Sequence, residues 1–126
     1  MRYSPILVDH FLNPRNAGLM REPDGMGEDE YEDCGDLARF YLRVRVGRVV
    51  DVRFQTYGCG PTIAAASAAS ELVAGRTIED LVNLKAEEIE RVLAGLPEDR
   101  KHAADVVAGA LRAAALDYLR RQDGDV

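Results

Sequence analysis

Two stretches of the chain alternate between apolar and polar residues. Their apolar positions are Phe40, Leu42, Val44, Val46, Val50, Val52 and Phe54. A period of two predicts β-strands with one buried face, and Gly47 marks the turn between them. Because cross-strand partners share a face, we expect an antiparallel hairpin with Val44 opposite Val52 and Leu42 opposite Phe54. That register needs a three-residue loop or a bulge at residues 47–49.

Helical spacing and capping residues predict helices on both sides of the hairpin. The expected ranges are 5–12, 61–74, 78–84, 86–94 and 100–121, with Ser4, Thr77 and Asp99 as N-caps. Residues 19–35 are rich in glycine and acids, and we expect mostly loop there, with room for one short strand. This order predicts an α+β fold, in which a small antiparallel sheet of about three strands carries the N-terminal and C-terminal helices on one face. The length predicts one domain over residues 1–126.

Composition and charge exclude several partners. The chain has 126 residues and a net charge of −6, with 16 Lys and Arg against 22 Asp and Glu. Because phosphate contacts need clustered basic residues, no nucleic acid is expected as a partner. No run reaches the ~18–20 apolar residues that span a bilayer, so no membrane partner is expected. The N-terminus lacks a secretory signal, which predicts a cytoplasmic location. There the two cysteines stay reduced, which favours metal binding or catalysis over a disulfide.

Four side chains offer metal-binding chemistry: Cys34, Asp36, Cys59 and His102. Cys59 lies between two glycines at the start of a predicted helix, where the helix dipole favours the thiolate. His102 lies in the first turn of the last predicted helix, which favours a neutral, ligating imidazole. Two thiols, an imidazole and a carboxylate suit zinc or iron. We therefore expect folding to gather these residues into one pocket.

Each of these residues also has an ordinary structural explanation. A free cysteine is usually a small buried apolar residue, and a lone histidine is more often a surface or core residue than a ligand. Eight acidic residues crowd residues 22–36. Such runs are usually solvated loop, although they also attract iron or a basic partner. A hydrolase finds little support, because the nucleophile elbow, the phosphate-binding glycine loop and the His-Glu-x-x-His motif are all missing.

Four segments, taken in order, resemble the IscU/NifU-type iron–sulfur cluster scaffold family. They are residues 9–18 (DHFLNPRNAG), Cys34-Gly35-Asp36, residues 54–64 (FQTYGCGPTIA), and a C-terminal part with Leu96-Pro97, His102 and residues 113–118 (AAALDY). The resemblance covers nearly the whole chain and implies that family's small α+β fold. It implies a [2Fe–2S] cluster, built from iron and from sulfur delivered by a cysteine desulfurase, that is passed to apo-protein acceptors. It also implies ligand roles for Cys34, Cys59 and His102, with Asp36 keeping the cluster labile.

One position departs from that family. Its third cysteine, directly after the histidine, is Ala103 here, and alanine can neither ligate a metal nor carry a persulfide. The remaining ligands suit Zn²⁺ or a single iron as readily as a cluster. A cluster shared between the subunits of a homodimer would supply further thiolates, so monomer and homodimer both stay open. The resemblance also implies a chaperone, although residues 98–101 (EDRK) are more polar than the family's chaperone-recognition stretch.

Three functional hypotheses follow. The first is a non-enzymatic scaffold that holds iron or a labile [2Fe–2S] unit. The second is a zinc-bound relative, closer to a sulfurtransferase, in which Cys59 accepts sulfur from a desulfurase. The third is a degenerate relative that binds no metal and regulates its partners by contact.

Overall fold

The structure is a computed structural model that describes residues 3–33 and 35–124. The elements, in chain order, are α1 (Pro5–Leu12), β1 (Gly25–Tyr31), β2 (Asp36–Arg45), β3 (Arg48–Tyr57), α2 (Gly60–Val73), α3 (Ile78–Val82), α4 (Ala86–Val92), a 3-10 turn (Glu98–Arg100) and α5 (His102–Gly124). The three strands form an antiparallel sheet in the order β1-β2-β3. Helix α5 packs on β1 and β2, α2 packs on β3, and α1 packs on α2. The α+β fold expected from the sequence is confirmed. Within the described residues, no helix has the length and apolar character needed to cross a membrane.

The hairpin of β2 and β3 has the expected buried face but a different register. Leu42 lies opposite Val52, and Phe40 lies opposite Phe54. The predicted pairs were therefore wrong, because each β3 residue faces a β2 residue two positions earlier in the chain than expected. The turn comes one residue earlier than expected, at Val46-Gly47, where both residues have a positive φ of 52° and 73°. A bulge then shifts the β2–β3 register between Arg43 and Val44. Because a bulge adds one residue to one strand, the apolar side chains of both strands return to the same face of the sheet.

The hairpin turn carries backbone strain at Val46, which is fully exposed and has a φ of 52°. A β-branched residue is strongly disfavoured in that region, whereas asparagine tolerates it. We expect Val46→Asn to raise the free energy of unfolding by about 0.5–1 kcal/mol, measured by urea denaturation. Val46→Thr keeps the β-branch and should give no such gain. An equal gain in both variants would contradict this explanation.

Strand β1 and helix α5 approach each other very closely. Gly25 and Gly27 lie on the strand's inner face, and a Cβ added at Gly27 would lie 2.2 Å from the backbone nitrogen of Ala114. The carboxylate of Asp117 accepts a hydrogen bond from the backbone N–H of Met26, at 2.9 Å. The segment expected to be mostly loop therefore contains a seven-residue strand. Its glycines, which disfavour a strand in isolation, are what allow the helix to cover it.

Helix α1 is joined to α2 through a buried histidine. His10 is 8% exposed, and its Nδ1 lies 2.7 Å from the Ser67 hydroxyl and 3.1 Å from the Arg15 guanidinium. Because an arginine is always a donor, Nδ1 is the acceptor and the imidazole is neutral. On the other side, Nε2 lies 3.9 Å from Glu71. Burial, followed by the charge of Arg15, lowers the pKa of His10 below its usual 6.5, although Glu71 and Asp9 act in the opposite direction.

This lowered pKa predicts a loss of stability in mild acid. The unfolded chain takes up the proton more readily, so the contribution of His10 is complete above pH 6.5 and declines as the pH falls from there towards the folded-state pKa. We expect a slope of up to about 1.4 kcal/mol per pH unit in that window, measured by urea denaturation at several pH values. His10→Gln should lack this slope. The same slope in His10→Gln would show that another group is responsible.

Candidate metal centre

Three of the predicted site residues meet at the ends of three elements. Asp36 is the first residue of β2, Cys59 is the N-cap of α2, and His102 is the first residue of α5. Their ligand atoms all lie within 4.8 Å of one another. Cys34, the fourth predicted ligand, lies outside the described residues, and its role remains a prediction.

The local sequence explains how each side chain reaches this point. Strand β3 ends at Tyr57, Gly58 turns the chain with a φ of 141°, and Pro61 stands in the first turn of α2. Cys59 therefore lies between a strand end and a helix start, as the sequence predicted. Helix α5 begins later than expected. Asp99 lies in the 3-10 turn rather than at the N-cap, and the helix begins at His102, which lies in its first turn as the sequence predicted.

Asp36 is hydrogen-bonded to the other residues of the site. Its side chain is almost fully buried, with the residue 2% exposed. One carboxylate oxygen, Oδ2, lies 2.8 Å from His102 Nε2 and 3.2 Å from the Thr62 hydroxyl, which donates to it. The other oxygen, Oδ1, accepts from the backbone N–H of Cys59 at 3.2 Å. Burial alone would raise the pKa of Asp36, but these hydrogen bonds outweigh it and lower the pKa. Asp36 is thus a carboxylate at neutral pH and an acceptor for His102.

The structure adds two residues that sequence reasoning missed. The hydroxyl of Thr62 lies 3.4 Å from Cys59 Sγ as well as contacting Asp36, so it links two of the candidate ligands. The sequence alone could have indicated the contact between Thr62 and Cys59, because the third residue of a helix lies next to its N-cap residue. Tyr31 stacks on the imidazole of His102, with ring centroids 4.4 Å apart and planes at 16°. No local pattern could reveal that contact, since the two residues are far apart in the chain.

Two cavities border Cys59. One, of about 280 Å³, is lined by Asp36, Gly58, Cys59, Arg100 and His102. The other, of about 250 Å³, is mostly apolar and is lined by Tyr3, Leu7, Val8, Phe11, Cys59, Gly60, Pro61 and Arg100. Arg100 therefore brings a positive charge to the rim of both. The thiol is half-buried but accessible from the first cavity, which is the condition for a reactive or metal-binding cysteine.

The three side chains are of the types that bind a tetrahedral ion such as Zn²⁺ or a single iron, and their ligand atoms all lie within 4.8 Å of one another. With metal–ligand bonds of about 2.0–2.3 Å, the ligand atoms of a tetrahedron lie about 3.3–3.8 Å apart. Cys59 Sγ already lies 3.6 Å from Asp36 Oδ2, whereas His102 Nε2 lies closer, at 2.8 Å. A metal would therefore replace the hydrogen bond between Asp36 and His102 with a small outward shift. Ala103 adds no ligand, because its methyl group has no donor atom, and it is fully buried in the core.

The fold and site together define a small α+β protein in which candidate sulfur, nitrogen and oxygen ligands meet at the starts of β2, α2 and α5. The profile of the NifU-like N-terminal domain family matches residues 2–125. The chain belongs to that family, as the sequence motifs predicted.

Similar proteins agree with this placement. The iron-sulfur cluster assembly scaffold protein IscU 1 of Archaeoglobus fulgidus is 40% identical over 119 residues, which cover 94% of this chain and 78% of that protein. The IscU scaffold protein of Azotobacter vinelandii is 38% identical over 126 residues, covering 97% and 98% of the two chains. A NifU-like N-terminal structure from Brucella abortus has a TM-score of 0.66 at 21% identity, over 98% of this chain and 95% of that one. At that identity the structural likeness shows the shared fold.

Proposed function

We propose that this chain is an iron–sulfur cluster assembly scaffold, which binds iron or a labile [2Fe–2S] cluster as its cargo and passes it to apo-proteins. The observation that supports this most directly is the meeting of Asp36, Cys59 and His102 within 4.8 Å. The names of the similar IscU proteins point to the same role. The chain acts as a carrier in this proposal, and no catalytic turnover is assigned to it.

The mixed ligand set explains how cargo would be both held and released. Iron–sulfur clusters are held mainly by thiolates, and here a carboxylate and an imidazole stand beside Cys59. A carboxylate is a hard ligand and a poor partner for a soft iron–sulfide unit, so this ligation favours transfer over permanent storage. Cys34 would add the second thiolate, as its position in the family motif implies.

Anaerobic reconstitution tests this proposal. The protein is incubated with ferrous iron, cysteine, a cysteine desulfurase and dithiothreitol, which reduces the persulfide sulfur to sulfide, and visible charge-transfer absorption is expected. Transfer to an apo-ferredoxin should then remove that absorption from the scaffold. His102→Gln should weaken cluster formation, whereas His10→Gln is the matched control, because it changes the other of the two histidines and leaves the site intact. Absence of visible absorption with wild-type protein would contradict the proposal.

A second candidate function is a zinc-bound sulfur acceptor, and it is favoured by the sulfur, nitrogen and oxygen ligand atoms that lie within 4.8 Å of one another. The Cys59 thiolate would attack the outer sulfur of a persulfide on the desulfurase. The sulfur–sulfur bond of that persulfide would break, and the desulfurase cysteine would leave as a thiolate. The positive charge of Arg100 beside Cys59 is suited to an approaching anionic sulfur.

Elemental analysis and mass spectrometry separate the alternatives. Zinc in protein purified without chelators, together with an alkylated persulfide on Cys59 after desulfurase turnover, would favour the sulfur acceptor. Iron and sulfide would favour the scaffold. Protein that binds neither metal would favour a regulator that acts by contact alone.

A further inference from the structure

Tyr31 lies where it can control the orientation of His102. It is the last residue of β1, and the sheet register places it directly opposite Asp36. Its ring is nearly parallel to the imidazole of His102, at a centroid distance of 4.4 Å and an angle of 16°. One pair of neighbouring strand residues therefore contacts the imidazole in two ways, through a carboxylate at its edge and an aromatic ring on its face.

The carboxylate alone does not fix the imidazole. The hydrogen bond from His102 Nε2 to Asp36 holds one atom, and the ring can still turn about that bond. A stacked ring removes this freedom, because a parallel arrangement is lost when the imidazole plane rotates. A ligand held in one orientation loses less entropy when a metal binds, so partners of a ligating histidine increase metal affinity.

The position of Tyr31 within its segment favours this role. It is the single aromatic residue in an otherwise acidic stretch, residues 28–33 (EDEYED). Its ring also contacts the edge of the hydrophobic core, so ordinary core packing is the competing explanation. The two explanations differ in what they predict for His102, because core packing alone does not require a flat ring on the imidazole.

We propose that Tyr31 is a positioning residue for His102, which acts by stacking its ring on the imidazole. This inference rests on the proposed metal-binding function of the site. An aromatic pair changes an equilibrium by roughly two- to twelvefold. We therefore expect Tyr31→Leu to weaken Co²⁺ binding by about three- to tenfold and to change the visible spectrum of the bound ion, which reports ligand geometry.

The matched variants separate stacking from packing. Tyr31→Phe keeps the ring and should restore both the affinity and the spectrum. Tyr118→Leu removes another partly buried tyrosine on α5, about 24 Å along the helix from His102, and should leave both unchanged. In the metal-free protein, the ring-proton NMR shifts of His102 should move in Tyr31→Leu and stay near wild type in Tyr31→Phe. Tyr31→Met serves as a second non-aromatic variant if leucine prevents folding.

The outcomes distinguish this inference from the function on which it rests. Wild-type affinity and spectrum in a folded non-aromatic variant would overturn the role of Tyr31 alone. Loss of binding in Tyr31→Phe as well would also overturn it, because the hydroxyl would then be the essential group. Failure of the wild-type protein to bind Co²⁺ would overturn the proposed function, and the role of Tyr31 with it.

Discussion

Gly58→Ala is expected to weaken metal binding by about 10- to 100-fold while leaving every candidate ligand in the chain. A Cβ at this position would lie 2.1 Å from Asp36 Oδ1 and 2.7 Å from Asp36 Cγ. The buried carboxylate can move only by giving up hydrogen bonds that it accepts from three neighbouring residues, Cys59, Thr62 and His102. The substitution should therefore push Asp36 away from Cys59 and His102. Co²⁺ or Zn²⁺ titration with a competing chelator measures the change.

Gly18→Ala is the matched control for backbone strain. Gly18 has a φ of 135°, close to the 141° of Gly58, but a Cβ there would meet nothing within 4 Å. Both variants should lose stability, by about 1–3 kcal/mol for the strained backbone. Loss of metal affinity is expected in Gly58→Ala alone. Equal metal affinity in Gly58→Ala and wild-type protein would show that Asp36 is not part of the metal centre.

Gly27→Ala is expected to produce the largest loss of stability among the substitutions considered. The added Cβ would lie 2.2 Å from the backbone nitrogen of Ala114 and 2.6 Å from the carbonyl carbon of Ala113. These are backbone atoms in the middle of α5, so the overlap can be relieved only by moving the helix off the sheet. We expect a loss of about 3 kcal/mol or more, and a fall in Tm of about 10 °C or more. Urea and thermal denaturation followed by circular dichroism measure both.

Glu28→Ala provides the comparison, because it introduces the same residue at the next position of the same strand. Glu28 lies on the outer face of the sheet, where it forms an exposed ion pair with Arg39 at 2.8 Å. Loss of such a pair costs at most about 1 kcal/mol. If Gly27→Ala were no more destabilising than Glu28→Ala, the close contact between β1 and α5 would not determine stability.

The candidate site shows where sequence-based prediction works and where it ends. The position of Cys59 between a strand and a helix was predictable, because the end of a strand, two glycines and the start of a helix all lie within a few residues of it. Asp36 and His102 could be named as candidate ligands from their residue type and the family motif. Their shared hydrogen bond was not predictable, because it joins the start of β2 to the start of α5. Tyr31 and Thr62 were absent from the prediction for a related reason, since their importance lies in what they contact.

The fold shows the same division. Alternation in residues 40–54 specified the buried face of the hairpin, since moving a strand by one residue would turn every side chain over. It did not specify which residues pair, because a shift of two residues preserves the face. The turn at Val46-Gly47 and the bulge beside it settled that choice.

The sequence by itself determined the α+β class, the family, the approximate helices and the chemical types of the candidate ligands, because periodicity, caps and short motifs are properties of neighbouring residues. The tertiary structure alone decided the pairing of β2 with β3, the strand in the glycine-rich segment and the meeting of Asp36, Cys59 and His102 in space. Those features depend on contacts between residues far apart in the chain. Their energies come from packing and hydrogen bonds that form only when the sheet and helices are assembled together.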